Sequence, residues 1–270
     1  MEQNGRRKAL VTGASAGMGA EFARQLASLG YNLVMVARRR EKLERLADEI
    51  REKFGVEVEV FPADLSNDAG IASVEDYIKG SADLEMLVNN AGFGIPDGFI
   101  DSEINVTMTM IWVHVMAPVR LTRAALTGMI ANGRGFIVNV SSISAFSAAT
   151  GSSVYSATKG YLNNFSEGLS VECHGTGVKV QALCPGFTIT EFHDTPEYKP
   201  YRIKERLPRI FWMTSKDVVR SSLRALKHGP VIYVPGFGNK LISMAGRLGW
   251  IAFFMRSYMS ITGKRPVDVD

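Results

Sequence analysis

The sequence is poor in cysteine. It contains two, Cys173 and Cys184, in 270 residues, with no CxxC pair and no histidine at ligand spacing nearby. This pattern excludes a disulfide framework and a cysteine-based zinc site, and we expect no bound metal. It predicts two buried, reduced thiols in a reducing compartment.

The chain also lacks an apolar segment before its first predicted strand and any stripe of positive charge. Without such a segment we expect no secretory signal, and hence a cytoplasmic protein. The net charge is +4, but lysine and arginine are scattered, whereas nucleic-acid binding needs them on one face, so we expect no nucleic-acid partner. The 46% hydrophobic and 21% charged residues are typical of a soluble enzyme, and residues 1–270 fit a single domain.

Short apolar segments alternate with amphipathic segments along the chain. This alternation predicts an α/β fold, a doubly wound three-layer sandwich around a parallel sheet with right-handed crossovers. Ligands of such sheets bind beyond the carboxyl ends of the strands, where each motif below falls. The strands are predicted at Lys8 to Thr12, Asn32 to Ala37, Glu57 to Pro62, Leu84 to Asn89, Phe136 to Val140, Val178 to Cys184 and Val231 to Val234.

A glycine-rich segment, TGASAGMG from Thr12 to Gly19, joins the first strand to the first helix. Its glycines allow a tight turn and close approach of a pyrophosphate, and the helix N-terminus offers free N–H groups and partial positive charge. Any tight strand–helix turn uses glycine as well. Its position after the first strand favours dinucleotide binding.

The end of the second strand distinguishes NAD from NADP. An acidic residue there binds the ribose hydroxyls, whereas a cation binds a 2′-phosphate. Here Arg38 and Arg39 follow the strand directly, and the guanidinium of Arg38 offers the donors that suit phosphate oxygens, with Ser15 as a further donor. The other interpretation is a solvated helix start, but cations are unfavourable at a helix N-terminus, so the sequence favours NADP(H).

Two further segments follow the third and fourth strands. Asp64, next to Leu65, is placed to accept a hydrogen bond from an adenine amino group, or else to cap the next helix. Asn89, Asn90, Ala91 and Gly92 combine amides that can brace the sheet with small residues that leave room for a cofactor.

Tyr155 and Lys159 stand four residues apart on a predicted helix, and hence on one face. A free phenol has a pKa of about 10, and a nearby cation favours its anion. We therefore expect Lys159 to lower the pKa of Tyr155, which would exchange a proton with a carbonyl oxygen. Ser142, after the fifth strand, is placed to hydrogen-bond the same oxygen. Tyr-x-x-x-Lys is common in ordinary amphipathic helices, so the pair alone has little weight.

Together the motifs resemble those of the short-chain dehydrogenase/reductase family, in its single-domain branch. TGASAGMG, NNAG, IVNVSS, YSATK and PGFTIT follow the family's order and spacing, closely from Lys8 to Thr190. The resemblance implies a seven-stranded Rossmann-type sheet, NADP(H)-dependent hydride transfer to or from a carbonyl or secondary alcohol, and a homodimer or homotetramer. It implies Ser142, Tyr155 and Lys159 as catalytic residues. The cofactor-binding residues implied are Gly13, Ser15, Gly17, Met18, Gly19, Arg38, Arg39, Asp64, Leu65, Asn90, Ala91, Gly92, Tyr155, Lys159, Pro185, Gly186, Thr188 and Thr190.

The sequence departs from the family at His114. The family usually has Asn here, which holds a water molecule that links the lysine to solvent, whereas this chain reads VHVMAP. Imidazole both donates and accepts, so His114 is a candidate to hold that water or relay protons. The alternative is a structural histidine with its ring nitrogens satisfied by the protein.

Two regions bear on the substrate. The region 187–214 is the expected substrate loop, with aromatic residues that suit an apolar lid or a core or oligomer contact, and Ser215 is predicted to cap the helix that follows. The tail 240–264 is apolar with arginines, and it suits a membrane surface, a roof over the cleft or a dimer contact. The segment ARRREKLERLADEIREKFGVEVEVFPADLS resembles ketoacyl and hydroxysteroid reductases, which implies a bulky apolar or lipid-derived substrate. The alternatives are a 3-oxoacyl-thioester or steroid-type reductase with a membrane-associated tail, and a non-catalytic NADP-binding regulator.

Overall fold

The computed structural model describes residues 7–95, 98–147, 153–191, 212–248, 253 and 257. Seven parallel strands form one sheet in the order β3-β2-β1-β4-β5-β6-β9. The strands are β1 Lys8–Thr12, β2 Asn32–Ala37, β3 Val58–Pro62, β4 Leu84–Asn89, β5 Gly135–Val140, β6 Val178–Leu183, β7 Thr188–Ile189, β8 Met213–Thr214 and β9 Ile232–Tyr233. The predicted seven-stranded α/β sandwich is confirmed.

Helices cover both faces of the sheet. They are α1 Gly17–Ser28, α2 Arg40–Phe54, α3 Asp68–Lys79, α4 Ile104–Ile111, α5 Ala117–Ala131, α6 Ser153–Glu172, α7 Ser215–Ala225 and α8 Phe237–Arg247. Phe22, Leu43 and Val218 pack in the core on one face, and Ile71 and Leu121 pack in the core on the other. Alternate residues of the central strands enter the two cores, as Leu33 and Val34 of β2 do, which is why these strands are mostly apolar.

A π-helical turn, Trp112–Met116, joins α4 to α5, so that Ile104–Ala131 forms one continuous helix. By length and composition this helix could cross a membrane. Its α5 part, however, contributes Ala117, Leu121 and Met129 to the buried core. The α5 part is therefore a layer of the sandwich, and burial accounts for the apolar residues on its inner face.

A second, two-stranded parallel sheet pairs β7 with β8. The sequence did not predict it, because two residues are too few to show periodicity. The prediction that Ser215 caps the next helix was wrong. The hydroxyl of Thr214 accepts the N–H of Asp217 at the start of α7, and Ser215 instead donates to the carbonyl of Ile189.

Parts of two predicted regions lie outside the described residues. In the substrate loop 187–214 these include Phe192, Tyr198, Tyr201 and Phe211, and in the tail 240–264 they include Trp250, Ile251, Phe254, Met255 and Arg256. Within the described part of the loop, the rings of Phe187 and Trp212 contact each other with centroids 5.4 Å apart.

Candidate active site

The glycine-rich turn leads from β1 into α1 at the carboxyl edge of the sheet. Gly13 and Gly17 have φ values of +65° and +56°, which glycine adopts without strain. A Cβ on Gly19 would collide with the carbonyl oxygen of Gly13, so the turn has no room for a side chain there. Met18 packs instead against the core on this face.

The start of α1 fits an anionic group. Its N-cap residue, Ala16, offers no side-chain acceptor to the N–H groups of the first turn, and that turn contains no acidic residue. Unpaired N–H groups and the helix dipole favour a negative charge at this position. The turn therefore suits the pyrophosphate of a dinucleotide.

Asn90 joins the glycine turn to β4. Its side-chain N–H donates to the carbonyl of Thr12 at 2.9 Å, and its backbone N–H donates to the hydroxyl of Thr12 at 2.9 Å. That hydroxyl also accepts the N–H of Ala91 at 3.0 Å. The bracing role that the sequence predicted for these amides is confirmed, and Asn89 extends it by donating to the side chains of Thr122 and Asn139.

The two arginines after β2 have different surroundings. Arg39 donates to the hydroxyl of Ser15 through Nε at 3.2 Å and Nη2 at 3.0 Å, and its Nη1 lies 3.3 Å from a carboxylate oxygen of Glu191. The exposed side chain of Arg38 makes no hydrogen bond or ion pair among the residues that the structure describes. It therefore remains available for a phosphate group.

Asp64 and Leu65 follow β3. The carboxylate of Asp64 accepts the N–H of Ser66 at 3.0 Å, while the cap of α3 is Asn67, whose side chain accepts the N–H of Gly70 at 2.9 Å. The alternative interpretation of Asp64 as the helix cap was therefore wrong. Leu65 is buried in the core, so that its contact with a cofactor would be through the backbone.

Ser142 and Tyr155 are brought together by a side-chain hydrogen bond. Ser142 ends the segment after β5 and begins a short 3₁₀ helix, Ile143–Phe146, where its hydroxyl accepts the N–H of Ser144 at 3.1 Å. Tyr155 lies in the first turn of α6. Both hydroxyls thus lie at the carboxyl edge, as the sequence predicted.

Lys159 is buried one turn further along α6, with 4% of its surface exposed. Its Nζ donates to the carbonyl of Val140 at 2.9 Å and lies 5.5 Å from the centre of the Tyr155 ring. Burial lowers the pKa of Lys159 to about 8, because the ammonium loses solvation.

The predicted direction of the Tyr155 pKa shift was wrong. Burial raises the pKa of Tyr155 to about 12, and the hydrogen bond with Ser142 opposes this only in part. The nearby ammonium of Lys159, 5.5 Å from the centre of the ring, does not offset this loss of solvation. Tyr155 is therefore a neutral phenol at physiological pH, which is the form that donates a proton.

His114 is fully buried in the π-helical turn, and both of its ring nitrogens have protein partners. Nε2 accepts the N–H of Phe93 at 3.1 Å, and Nδ1 lies 3.0 Å from the hydroxyl of Thr158. Because that hydroxyl donates to the carbonyl of Tyr155 at 2.8 Å, it accepts from Nδ1–H.

The surroundings of His114 favour a neutral ring. Burial, and then the charge of Lys159, hold its pKa well below the usual value. Of the two interpretations of His114, this geometry favours the structural one. Gly92 packs against the ring of His114. A Cβ on Gly92 would lie 2.9 Å from Nε2 of His114 and 3.5 Å from Nζ of Lys159.

The segment after β6 lies across from the glycine turn. A Cβ on Gly17 would come 3.3 Å from a methyl group of Thr190, and the hydroxyl of Thr188 donates to the carbonyl of Gly186 at 3.0 Å. The carbonyl of Pro185 accepts the N–H of Ile143, which follows Ser142. The predicted residues of this segment thus border both the cofactor motifs and the catalytic motifs.

The family model described as short chain dehydrogenase matches residues 7–198. The chain belongs to this family. Short-chain dehydrogenases are oxidoreductases, and this chain is similar to a solved member that is bound to NADPH.

That solved structure is a short-chain dehydrogenase from Sphingobium yanoikuyae in complex with NADPH. It is 30% identical to this chain with a TM-score of 0.80, over 98% of this chain and 96% of the other. The bulky-bulky ketone specific alcohol dehydrogenase from Comamonas testosteroni is 29% identical with a TM-score of 0.77, over 98% and 97%.

Among curated proteins, the very-long-chain 3-oxoacyl-CoA reductase of Anas platyrhynchos is 34% identical over 188 residues. The match covers 68% of this short-chain dehydrogenase and 60% of that relative. The chain thus spans less than two thirds of the relative's length.

Three residues at the site were not predicted from the sequence. Thr158 links His114 to the backbone of Tyr155, and Lys42 and Glu191 form an ion pair beside Arg39. Thr158 belongs to the motif YSATK, so its polar side chain on the catalytic helix could have indicated a role at the site. Glu191 gave none, because its partners lie 149 and 152 residues away.

Proposed function

We propose that this short-chain dehydrogenase is an NADPH-dependent carbonyl reductase for bulky apolar or lipid-derived ketones, and that it runs as an alcohol dehydrogenase when NADP⁺ is supplied. The observation that carries the proposal is that Ser142, Tyr155 and Lys159 lie close together beside the glycine turn. The contact between Phe187 and Trp212 supports an apolar substrate, as does the similarity to an enzyme described as specific for bulky-bulky ketones.

The cofactor, when bound, supplies the hydride. The uncharged hydroxyl of Tyr155 then gives its proton to the carbonyl oxygen, and the hydroxyl of Ser142 hydrogen-bonds the same oxygen as it gains negative charge. The positive charge of Lys159, 5.5 Å from the centre of the Tyr155 ring, attracts the phenolate that remains, although burial still keeps the pKa of the phenol high. The neutral phenol favours the direction of reduction.

A second candidate is a 3-oxoacyl-thioester reductase that works at a membrane surface. It is favoured by the similarity to a very-long-chain 3-oxoacyl-CoA reductase. On α8, Phe237, Leu241 and Met244 are exposed at helical spacing with Leu248 directly after the helix, and Lys240 and Arg247 lie on α8 as well. Apolar and cationic residues so arranged suit the surface of an anionic bilayer.

We further propose a cytoplasmic homodimer or homotetramer. Its support is the exposed apolar surface of the helix Ile104–Ala131, where Ile104, Met108, Met116 and Ile130 remain solvent-accessible. The two cysteines are buried and free, which suits a reducing compartment. Sedimentation equilibrium measures the assembly, and a monomer at micromolar concentration would contradict it.

Substrate class is tested by following NADPH absorbance with bulky aryl ketones, 3-oxoacyl thioesters, steroid ketones and small aldehydes. We expect turnover of bulky ketones above that of small aldehydes. Reduction of thioesters alone would establish the second candidate. NADPH binding with no substrate reduced, and no change on Tyr155→Phe, would indicate a non-catalytic regulator.

The membrane contact is tested by flotation with anionic liposomes at low salt. The second candidate predicts that the wild type floats and that the variant Leu241→Ser/Met244→Ser remains at the bottom. Failure of the wild type to float removes the membrane part of the second candidate.

A further inference from the structure

Glu191 follows β7 and contacts the start of α2. Its carboxylate lies 3.1 Å from Nζ of Lys42 and 3.3 Å from Nη1 of Arg39. These contacts lower the pKa of Glu191, first through the hydrogen bond with Lys42, so that the carboxylate is ionised at neutral pH. The carboxylate of Glu191 therefore pairs with two cations at the start of α2.

The same segment also contacts the glycine turn. Thr190, one residue before Glu191, lies so close to Gly17 that a Cβ on that glycine would meet it at 3.3 Å. On the other side, Arg39 holds the hydroxyl of Ser15. The glycine turn, the start of α2 and the segment Thr188 to Glu191 are thereby linked in a closed series of contacts around the cofactor's phosphate-binding turn.

We propose that Glu191 is a clasp residue. Its ion pairs with Arg39 and Lys42 tie the segment after β7 to α2, and this tie slows the release of bound NADP(H). Glu191 touches neither the reacting atoms nor the catalytic hydroxyls, so it acts on cofactor release and leaves proton transfer unchanged.

A competing role is that Glu191 occupies the cations needed by the 2′-phosphate. The position of Arg38 argues against it. Arg38 has no ion pair among the described residues and stands directly after β2, so a guanidinium is available to the phosphate while Glu191 keeps its partners. A clasp acts on NADPH and NADH alike, whereas a competitor acts on NADPH alone.

The test is the release rate of NADPH and of NADH, measured by stopped-flow displacement on the full-length chain. For Glu191→Gln we expect both rates to rise about threefold to fivefold, the size expected when an exposed ion-pair network is lost. Glu44→Gln is the matched control, since Glu44 is a carboxylate on α2 that pairs with Arg40 instead. It should leave both rates unchanged.

A double-mutant cycle with NADH removes any contribution of the 2′-phosphate. Lys42→Met should also accelerate NADH release, and in Glu191→Gln it should add less than it does in the wild type. Full additivity, no change in Glu191→Gln, or an effect confined to NADPH in either direction would overturn the proposal. Circular dichroism checks that the exposed substitutions leave the fold intact.

Discussion

The Nδ1 atom of His114 lies 3.0 Å from the hydroxyl of Thr158, and that hydroxyl donates to the backbone carbonyl of Tyr155. The opposite ring nitrogen of His114 accepts the N–H of Phe93. His114 thus connects the loop after β4 to the first turn of α6, which carries the catalytic phenol. Its influence on the reaction is exerted by positioning.

Replacing His114 with alanine should lower the free energy of unfolding by about 1–3 kcal/mol, because the buried N–H of Phe93 and hydroxyl of Thr158 lose their partner. His114→Asn, which both donates and accepts, should recover part of the loss. Urea denaturation measures the free energy of unfolding of each variant.

A positioning role also predicts the pH dependence. Because the pKa of His114 is well below its usual value, the ring stays neutral from pH 6 to 8. His114→Asn should therefore leave the shape of the kcat profile unchanged in this range. The loss of an acidic limb in the variant would instead reveal a proton relay.

Tyr155→Phe should lower kcat by about 10²–10⁴-fold, because the proton donor is removed. NADPH affinity, measured by fluorescence titration, should change less than about twofold, since burial of the ring is preserved. Tyr233→Phe, on β9, is the control and should leave kcat unchanged. Equal activity of the two variants would contradict the assignment.

The buried ammonium of Lys159 sets an alkaline limit. With a pKa of about 8, it is charged below that pH and loses its charge as the pH rises through it. We expect kcat/KM for ketone reduction to fall above about pH 8. A profile that is flat up to pH 10 would show that activity does not depend on this charge.

The same burial predicts that the catalytic lysine costs stability. Lowering a pKa from 10.5 to about 8 disfavours the charged form by about 3 kcal/mol. At pH 7, Lys159→Met should raise the free energy of unfolding by about 2 kcal/mol while abolishing activity. The exposed Lys179→Met should stay within about 0.5 kcal/mol of the wild type, and destabilisation by Lys159→Met would contradict this account.

Arg38→Asp should weaken NADPH binding about 10- to 100-fold and NADH binding far less, because a charged hydrogen bond to the 2′-phosphate is lost. Arg40→Asp changes the same charge at the same helix start, where Arg40 pairs with Glu44, and should affect both cofactors little. Equal loss for both cofactors in Arg38→Asp would show that Arg38 does not read the phosphate.

The central strands were predictable because they are buried on both faces and are therefore mostly apolar, as in Leu33 to Val36. The meeting of Ser142 with Tyr155 was predictable from motifs that follow strands at one edge. The direction in which the pKa of Tyr155 is shifted was not predictable. Helical spacing shows that a lysine is near, but it does not show how deeply the phenol is buried or which carbonyl accepts a hydrogen bond from the ammonium. The pairing of Arg39 with Glu191 depends on loop positions that leave no local pattern.

The π-helical turn at Trp112–Met116 has a consequence for the outside of the molecule. A wider turn holds one residue more than an α-helical one, and each residue advances the helix by about 100°. Even so, the helix keeps one buried face through this turn, formed by Thr107, Met110, His114, Ala117 and Leu121. The exposed apolar side chains of Ile104, Met108, Met116 and Ile130 therefore lie along the outside of one continuous helix, whose π-helical turn points the imidazole of His114 into the protein.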